Sequence, residues 1–329
     1  SYNLSFTFMT DIPALALTAA SAIAYWQALQ TRQTKWLWLG SAAAFLGFFT
    51  RQTAGLLLPA IGAYLLWQQY KQRAPFKLGQ WLIPLGYTAL AMSTGYAWLH
   101  YQNWLPGGTA LHSLPANTIV KHAAWWTWYI FVYVGLIAAP LAAGLLWQKK
   151  LWRDWRWYAL VGASVAVTVI IKLTTDTQLP YVLNIINLFG LGPNKNVLNG
   201  VLQFQFSGWL WGAATIGAAG SAATLLYSAL VTKKTIHAYW WLWGAAINAA
   251  PLLFVESFDR YILPVALLFV LFLVPNLTWT RAQTAVAGVA IAIISIYSLS
   301  QTAFYLHWNQ ARWNLAEHAA HIHPGPTAR

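Results

Sequence analysis

The sequence predicts an all-α, polytopic membrane protein with about ten transmembrane helices of ~20 residues each. Of the 329 residues, 59% are apolar and only 8% are charged, and the mean hydropathy is +0.49. A soluble domain carries about 25% charged residues, so this chain has too little polar surface to cover a globule in water. The composition excludes a soluble enzyme, a disordered chain and a nucleic-acid-binding protein, although the net charge is +13.

The apolar segments are typical of helices rather than of outer-membrane strands, because they are long and nearly continuous and show no alternation of period two. We expect one transmembrane domain over residues 1–306 and a short extracytoplasmic tail over residues 307–329. The predicted spans are Thr10–Gln30, Trp36–Thr50, Thr53–Tyr70, Leu78–His100, Ala123–Trp147, Trp157–Ile171, Ser207–Val231, Tyr239–Phe254, Tyr261–Pro275 and Ala282–Leu306. Many of the 22 tryptophans, including Trp126, Trp240 and Trp241, fall near span ends, as in an interfacial aromatic belt.

The basic residues predict the orientation of the chain. Ten spans give alternating connections, and one set of connections holds twelve of the 19 lysines and arginines, which makes that side cytoplasmic. These twelve are Arg32, Lys35, Lys71, Arg73, Lys77, Lys149, Lys150, Arg153, Arg156, Lys233, Lys234 and Arg281. Both termini then lie on the extracytoplasmic face of the plasma (inner) membrane. All the acidic residues except Asp154 share that face, so we expect any chemistry to take place there.

The chain has no cysteine, which removes disulfides, thiolate metal sites and cysteine nucleophiles together. His318, His321 and His323 follow Glu317 with ligand-like spacing. Because these residues lie in a polar tail, we predict no metal site.

Asp11 is the first candidate site residue. It precedes Pro13 where the first predicted helix enters the membrane from outside. An aspartate in this position complements the helix dipole and can cap free N–H groups, so a purely structural role is the alternative.

Arg51 and Gln52 form the second candidate, at the tip of a short hairpin inside more than thirty nearly apolar residues. A charge at membrane depth costs ~2.5–3.5 kcal/mol on insertion scales. An arginine that reaches the lipid headgroups is one interpretation. We favour an anionic ligand or a carboxylate partner.

The third candidate is the predicted outer turn that carries Glu256, Asp259, Arg260 and Tyr261. These charges could pair with one another on the surface, where such pairs contribute little. The topology instead brings all three candidates to the same face. Transfer from a lipid-linked phosphosugar needs a carboxylate that takes the proton from the acceptor hydroxyl. It also needs guanidinium groups that hold the departing phosphate.

Three segments resemble polytopic GT-C glycosyltransferases: residues 5–13 (SFTFMTDIP), residues 49–53 (FTRQT) with the preceding Leu39-Gly40, and residues 258–264 (FDRYILP). The chain is most similar to the bacterial protein-mannosyltransferase-like and aminoarabinose-transferase-like enzymes. The second segment also resembles the eukaryotic lipid-linked-oligosaccharide glucosyltransferase that uses dolichyl-phosphate glucose.

The resemblance implies inverting transfer of a sugar from a polyprenyl-phosphate carrier to an extracytoplasmic glycan, lipid or protein. It implies no cofactor, although some members use a divalent cation. It also implies a catalytic acidic residue in a first outer loop that this sequence does not contain, so we expect an N-terminally incomplete chain. Asp11 matches a later acidic position of the family. The implied partners are the bilayer, the lipid-linked sugar and the acceptor.

Two other functions stay open at this point. A transporter or flippase for a lipid-linked glycan or an anionic solute would also place charges within the membrane, although the sequence shows no internal repeat. A non-catalytic membrane subunit that holds a partner enzyme is the third possibility.

Overall fold

The computed structural model describes residues 2–71, 78–102, 118–148, 150–174, 186–187, 190–191, 208–231, 236–254 and 261–274, with isolated positions between 280 and 318. Its helices are α1 (Tyr2–Thr31), α2 (Thr34–Thr50), α3 (Leu57–Tyr70), α4 (Leu78–Gln102), α5 (Ile119–Ile137), α6 (Ala139–Gln148), α7 (Trp155–Thr174), α8 (Gly208–Val231), α9 (Tyr239–Ala249) and α10 (Ile262–Leu273). Short 3-10 segments are Gln52–Leu56, Leu151–Arg153, Ile236–Ala238 and Ala250–Leu253. Two short antiparallel strands, β1 (Ile186–Asn187) and β2 (Gly190–Leu191), complete this part of the chain.

The first nine predicted spans coincide with helices, and one of them was predicted with the wrong shape. The span predicted over Ala123–Trp147 is two helices, α5 and α6, which meet at an angle of 70°. Pro140 lies just after the break. A proline ring has no N–H and clashes with the carbonyl four residues earlier, so it breaks a continuous helix. The tenth predicted span, Ala282–Leu306, lies outside the continuously described residues.

Two of the described helices are long and apolar enough to cross a membrane, namely α7 and the Gly212–Val231 part of α8. The α5–α6 pair makes a third if its two arms are counted as one bent span. α10 is apolar but shorter. These helices agree with a membrane protein, while the count of ten spans and the orientation of the termini stay predictions.

Helices α1 and α2 form an antiparallel pair that is held by buried polar contacts. The Ser21 hydroxyl donates to the Gly40 carbonyl over 2.8 Å, and the hydroxyls of Tyr25 and Ser41 lie 2.9 Å apart. Gly40 leaves room for the Tyr25 ring, since a Cβ there would lie 2.8 Å from it. Small residues and paired hydroxyls are the usual means of close helix packing where no water is present. This pairing brings the end of α2 beside the first half of α1.

Helix α9 packs among α1, α3 and α10, and its tryptophans form part of this core. The indole N–H of Trp240 donates to the Ala22 carbonyl over 3.1 Å, and Trp241 stacks on Trp26 with ring centroids 5.4 Å apart. Trp240 and Trp241 are 0% and 3% exposed. The prediction that they belong to an interfacial belt is therefore wrong, because both rings fill space between helices.

The α7–α8 pair is joined at the end where α7 begins. The Asp154 carboxylate accepts hydrogen bonds from the Tyr227 hydroxyl and, over 3.0 Å, from the backbone N–H of Arg156. These two bonds hold the pKa of Asp154 below its usual range. The indole N–H of Trp157 also donates to the Thr224 hydroxyl over 3.1 Å, so polar contacts fix the register of the two helices.

The crossing of α5 and α8 gives a test of the packing. A Cβ on Gly135 would overlap the carbonyl oxygen of Ala218 and lie 2.8 Å from the Cβ of Ala222. We expect Gly135→Ala to destabilise the protein by about 1–3 kcal/mol, because the two backbones must separate. Thermal unfolding of the purified protein in detergent measures the loss.

The matched control is Gly217→Ala in α8, where a Cβ would meet nothing within 4 Å. We expect an unchanged or higher melting temperature for this control, since alanine is the better helix former. Equal melting temperatures for Gly135→Ala and the wild type would contradict the close crossing.

Candidate functional site

A small cleft lies where α1, the segment that follows α2, and the start of α10 meet. Its interior space is small, about 20 Å³, and it opens to the surroundings. Its lining residues are Ala14, Leu15, Thr18, Arg51, Thr53, Tyr261, Leu263 and Pro264. Two of these, Arg51 and Tyr261, were predicted as site residues from the sequence.

Arg51 is placed in the cleft by the way in which α2 ends. Its backbone is extended, with φ −153° and ψ 125°, and its N–H donates to the Gly47 carbonyl over 2.8 Å. The Thr50 hydroxyl donates to the same carbonyl over 2.7 Å. A Cβ on Gly47 would lie 2.8 Å from the Cβ of Ala54, so the chain turns tightly after α2. The sharp turn leaves Arg51 half-buried at the junction of two helices.

The Arg51 guanidinium contacts Tyr261, which lies 210 residues further along the chain. Its Nη1 donates to the Tyr261 hydroxyl over 3.1 Å, and its Cζ lies 5.4 Å from the centroid of the Tyr261 ring. A guanidinium over an aromatic face is attracted by the ring. The contact holds the guanidinium in position where the turn after α2 meets the start of α10.

Asp11 lies on the part of α1 that leads to the cleft. Its backbone is one helical turn before Ala14 and Leu15 and two turns before Thr18, and all three of those residues line the cleft. Positions spaced by three, four and seven residues share one side of a helix. By the helical repeat, position 11 thus shares a side of α1 with these three residues.

Of the other predicted site residues, one does not line the cleft and three lie outside the described residues. Gln52 begins the 3-10 segment after Arg51, and its side chain is exposed. Glu256, Asp259 and Arg260 lie outside the described residues. Within the described ranges, no three His, Asp or Glu side chains lie together as metal ligands would.

The sequence analysis missed two polar residues of the cleft, Thr18 and Thr53. Thr18 donates to the Ala14 carbonyl over 2.8 Å, which keeps an oxygen lone pair available to accept. The sequence does contain a signal for Thr18, because it lies seven residues after Asp11 and therefore on the same side of a helix. Thr53 gives no such signal, because it lines the cleft only as a result of the turn after Arg51.

The comparisons with known proteins point to the segment that builds most of this cleft. Residues 1–98 match the family model described as dolichyl-phosphate-mannose-protein mannosyltransferase. No curated protein and no solved structure gave a match to the chain. The matched segment contains Asp11, Thr18, Arg51 and Thr53. The match confirms the resemblance stated from the sequence, and the chain is thus similar to the dolichyl-phosphate-mannose-protein mannosyltransferases, glycosyltransferases of the GT-C type.

Proposed function

We propose that the protein is a membrane glycosyltransferase that moves a sugar from a polyprenyl-phosphate carrier to an extracytoplasmic acceptor, with inversion. The observation that carries this proposal is the half-buried guanidinium of Arg51, which is held against Tyr261 in a cleft built largely by the matched segment.

The cleft suits the phosphate end of such a donor. Arg51 offers several N–H donors in a planar fork that fits phosphate oxygens in pairs. The surrounding residues are small or apolar, apart from the hydroxyls of Thr18, Thr53 and Tyr261. The interior space of about 20 Å³ holds roughly one water molecule. A headgroup would therefore bind at the open mouth of the cleft or after its lining side chains move apart, while the polyprenyl chain stays in the bilayer.

The reaction that we propose needs one base and one anion-binding group. A carboxylate takes the proton of the acceptor hydroxyl as the hydroxyl oxygen attacks the anomeric carbon. The bond between that carbon and the phosphate oxygen breaks, and the electron pair leaves on the lipid phosphate. Arg51 stabilises the phosphate as its charge increases. Asp11 is the candidate for this carboxylate, and Gln52, Glu256, Asp259 and Arg260 are further candidate contacts from the sequence.

One observation favours the second candidate, a transporter or flippase for a lipid-linked glycan or an anionic solute. The α5–α6 pair is a broken helix with a bend of 70°, and interrupted helices are common at transport sites. Movement of a fluorescent polyprenyl-phosphate sugar across protein-containing vesicles, without transfer of the sugar, would support that candidate against ours.

Arg51→Lys tests the phosphate contact. Lysine keeps the charge but loses the planar fork, so we expect binding of a short isoprenyl phosphate mannose to weaken by about 10- to 100-fold. This range corresponds to the ~1.5–3 kcal/mol of a hydrogen bond to a charged group. Isothermal titration with the full chain in detergent measures the affinity.

Arg156→Gln is the control for this experiment, because Arg156 is exposed on α7, at the end predicted to be cytoplasmic. We expect it to bind like the wild type. If Arg51 has only a structural partner, yield and melting temperature should fall instead, and Asp11→Asn combined with Arg51→Gln should restore them. Wild-type affinity in well-folded Arg51→Lys would defeat the phosphate contact.

Cysteine labelling tests the orientation of α7, from which the predicted alternation of spans gives the side of the membrane on which the cleft lies. The chain has no cysteine of its own, so each introduced thiol reports alone. We expect Thr174→Cys, at the end of α7, to react with an impermeant maleimide in intact cells. Lys150→Cys, before the start of α7, should react only after the membrane is opened. The reverse pattern would overturn the extracytoplasmic site.

A further inference from the structure

Asn248 is a buried polar residue outside the cleft lining whose side-chain oxygen is unpaired within the described part of the chain. It lies in α9, is 2% exposed, and donates from Nδ2 to the Gly244 carbonyl over 2.9 Å. Its Oδ1 is buried and has no hydrogen-bond partner among the residues that the structure describes. A buried carbonyl without a partner is destabilising, and more so where no water is present.

The orientation of this amide follows from its surroundings. The Gly244 carbonyl can only accept, so the side-chain nitrogen and not the oxygen must face it. The same carbonyl also accepts the backbone N–H of Asn248, as in any α-helix. The bond from Nδ2 is therefore a second bond to a group that is already satisfied, and its loss would leave no carbonyl unpaired.

The register of α9 against α3 places Asn248 level with the cleft. The two helices are antiparallel, since Tyr64 contacts Trp240 with ring centroids 6.0 Å apart, and a Cβ on Gly244 would lie 3.5 Å from Leu57. Asn248 lies one turn after Gly244 on α9, and Thr53 lies one turn before Leu57. Because the two helices are antiparallel, these steps run in the same direction and bring Asn248 level with Thr53, which lines the cleft.

The contacts of α9 with the neighbouring helix α10 independently place Asn248 at the same level. Tyr239 contacts Phe272 at 6.0 Å between centroids, and a Cβ on Gly244 would lie 3.4 Å from Leu268. One further turn along this antiparallel pair places Asn248 opposite Pro264, another lining residue.

Helix α1 leads to the same result. The bond from Trp240 to the Ala22 carbonyl joins α1 and α9. Asn248 lies eight residues after Trp240 on α9, and Ala14 lies eight residues before Ala22 on α1. Both steps lead towards the cleft, and Ala14 is one of its lining residues. Three elements thus agree that Asn248 lies level with the cleft along the helix axes.

We propose that Asn248 is a ligand-binding residue of the cleft, whose Oδ1 accepts a hydrogen bond from a hydroxyl of the sugar on the lipid phosphate. The inference rests on the proposed function, and it adds the part of the donor that Arg51 does not recognise. To reach the sugar, the Asn248 side-chain amide gives up its bond to the Gly244 carbonyl. That carbonyl still accepts the backbone N–H of Asn248, so it is not left unpaired. The phosphate is held by a cation and the sugar by a neutral acceptor.

The test compares two ligands that differ only in the sugar: a short isoprenyl phosphate and the same phosphate carrying mannose. We expect the wild-type chain to bind the mannosylated ligand about tenfold more tightly, as one satisfied buried acceptor would give. Asn248→Leu, of nearly the same size, should bind both ligands equally, with the affinity for the bare phosphate unchanged. Its melting temperature should not fall, because the variant removes an unpaired buried group.

Ser228→Ala is the matched control. The Ser228 hydroxyl oxygen is also buried without a hydrogen-bond partner in the described part of the chain, but it lies near the end of α8, next to the Tyr227 that bonds Asp154 at the predicted cytoplasmic end. We expect this variant to keep the full preference for the mannosylated ligand. Asn248→Ala is the second variant if Asn248→Leu does not fold.

Each other outcome is decisive. A preference for mannose that survives in Asn248→Leu, or in Asn248→Ala, overturns the inference. Equal binding of the two ligands by the wild type overturns it as well, while the phosphate site stands. Binding of neither ligand by well-folded wild type overturns the proposed function itself. A clear loss of stability with an unchanged preference assigns Asn248 to the packing of α9.

Discussion

The contact between Arg51 and Tyr261 is the interaction on which the arrangement of the cleft depends. It links the turn after α2 to the start of α10 across 210 residues of sequence. A guanidinium in so apolar a chain needs partners that hold it in place. Tyr261 holds it with a hydroxyl at 3.1 Å and a ring face at 5.4 Å. These contacts orient the side chain before any ligand arrives.

Much of the helical fold could be predicted because basic residues separate long apolar segments. The bounds of α2, α4 and α8 differ from the predicted spans by no more than two residues. The break before Pro140 was missed because a long apolar segment was read as one span despite the proline. The burial of Trp240 and Trp241 was missed for a different reason. Position near a span end does not tell which side of a helix faces other helices.

The site was predictable only in part, and its residues show why. Arg51 is conspicuous in sequence because a charge interrupts apolar residues, and Tyr261 belongs to a segment that resembles a family. Their mutual contact is tertiary and leaves no local pattern. Asn248 is a single amide in an apolar helix, without charge or motif. Only its burial and its unpaired oxygen distinguish it, and both are properties of the packed structure.

The polar groups deeper in the bundle show what an ordinary buried polar group looks like here. The Ser21 hydroxyl has the Gly40 carbonyl, the Tyr25 and Ser41 hydroxyls have each other, and the Gln68 amide donates to Tyr64 over 2.8 Å. These groups pair with protein, as is required away from water. The Asn248 oxygen has no partner within the described residues, and the same holds for the Trp241 indole nitrogen and the Ser228 hydroxyl. Of these three groups, Asn248 is the one that the helix contacts place level with the cleft.

The same core bears on the choice between transfer and transport. The rings of Tyr25, Tyr64 and Trp240 contact one another with centroids 5.4 and 6.0 Å apart, and all three side chains are fully buried. They lie about two helical turns from the cleft, measured along α1 from Ala14 to Ala22 and Tyr25. A solute that passed from the cleft through these helices would have to separate rings that close-packed neighbours and the Trp240 bond to Ala22 hold in place. This arrangement favours a site that takes its ligand and releases its product on one face, which is what transfer from a lipid carrier requires and passage across the membrane does not.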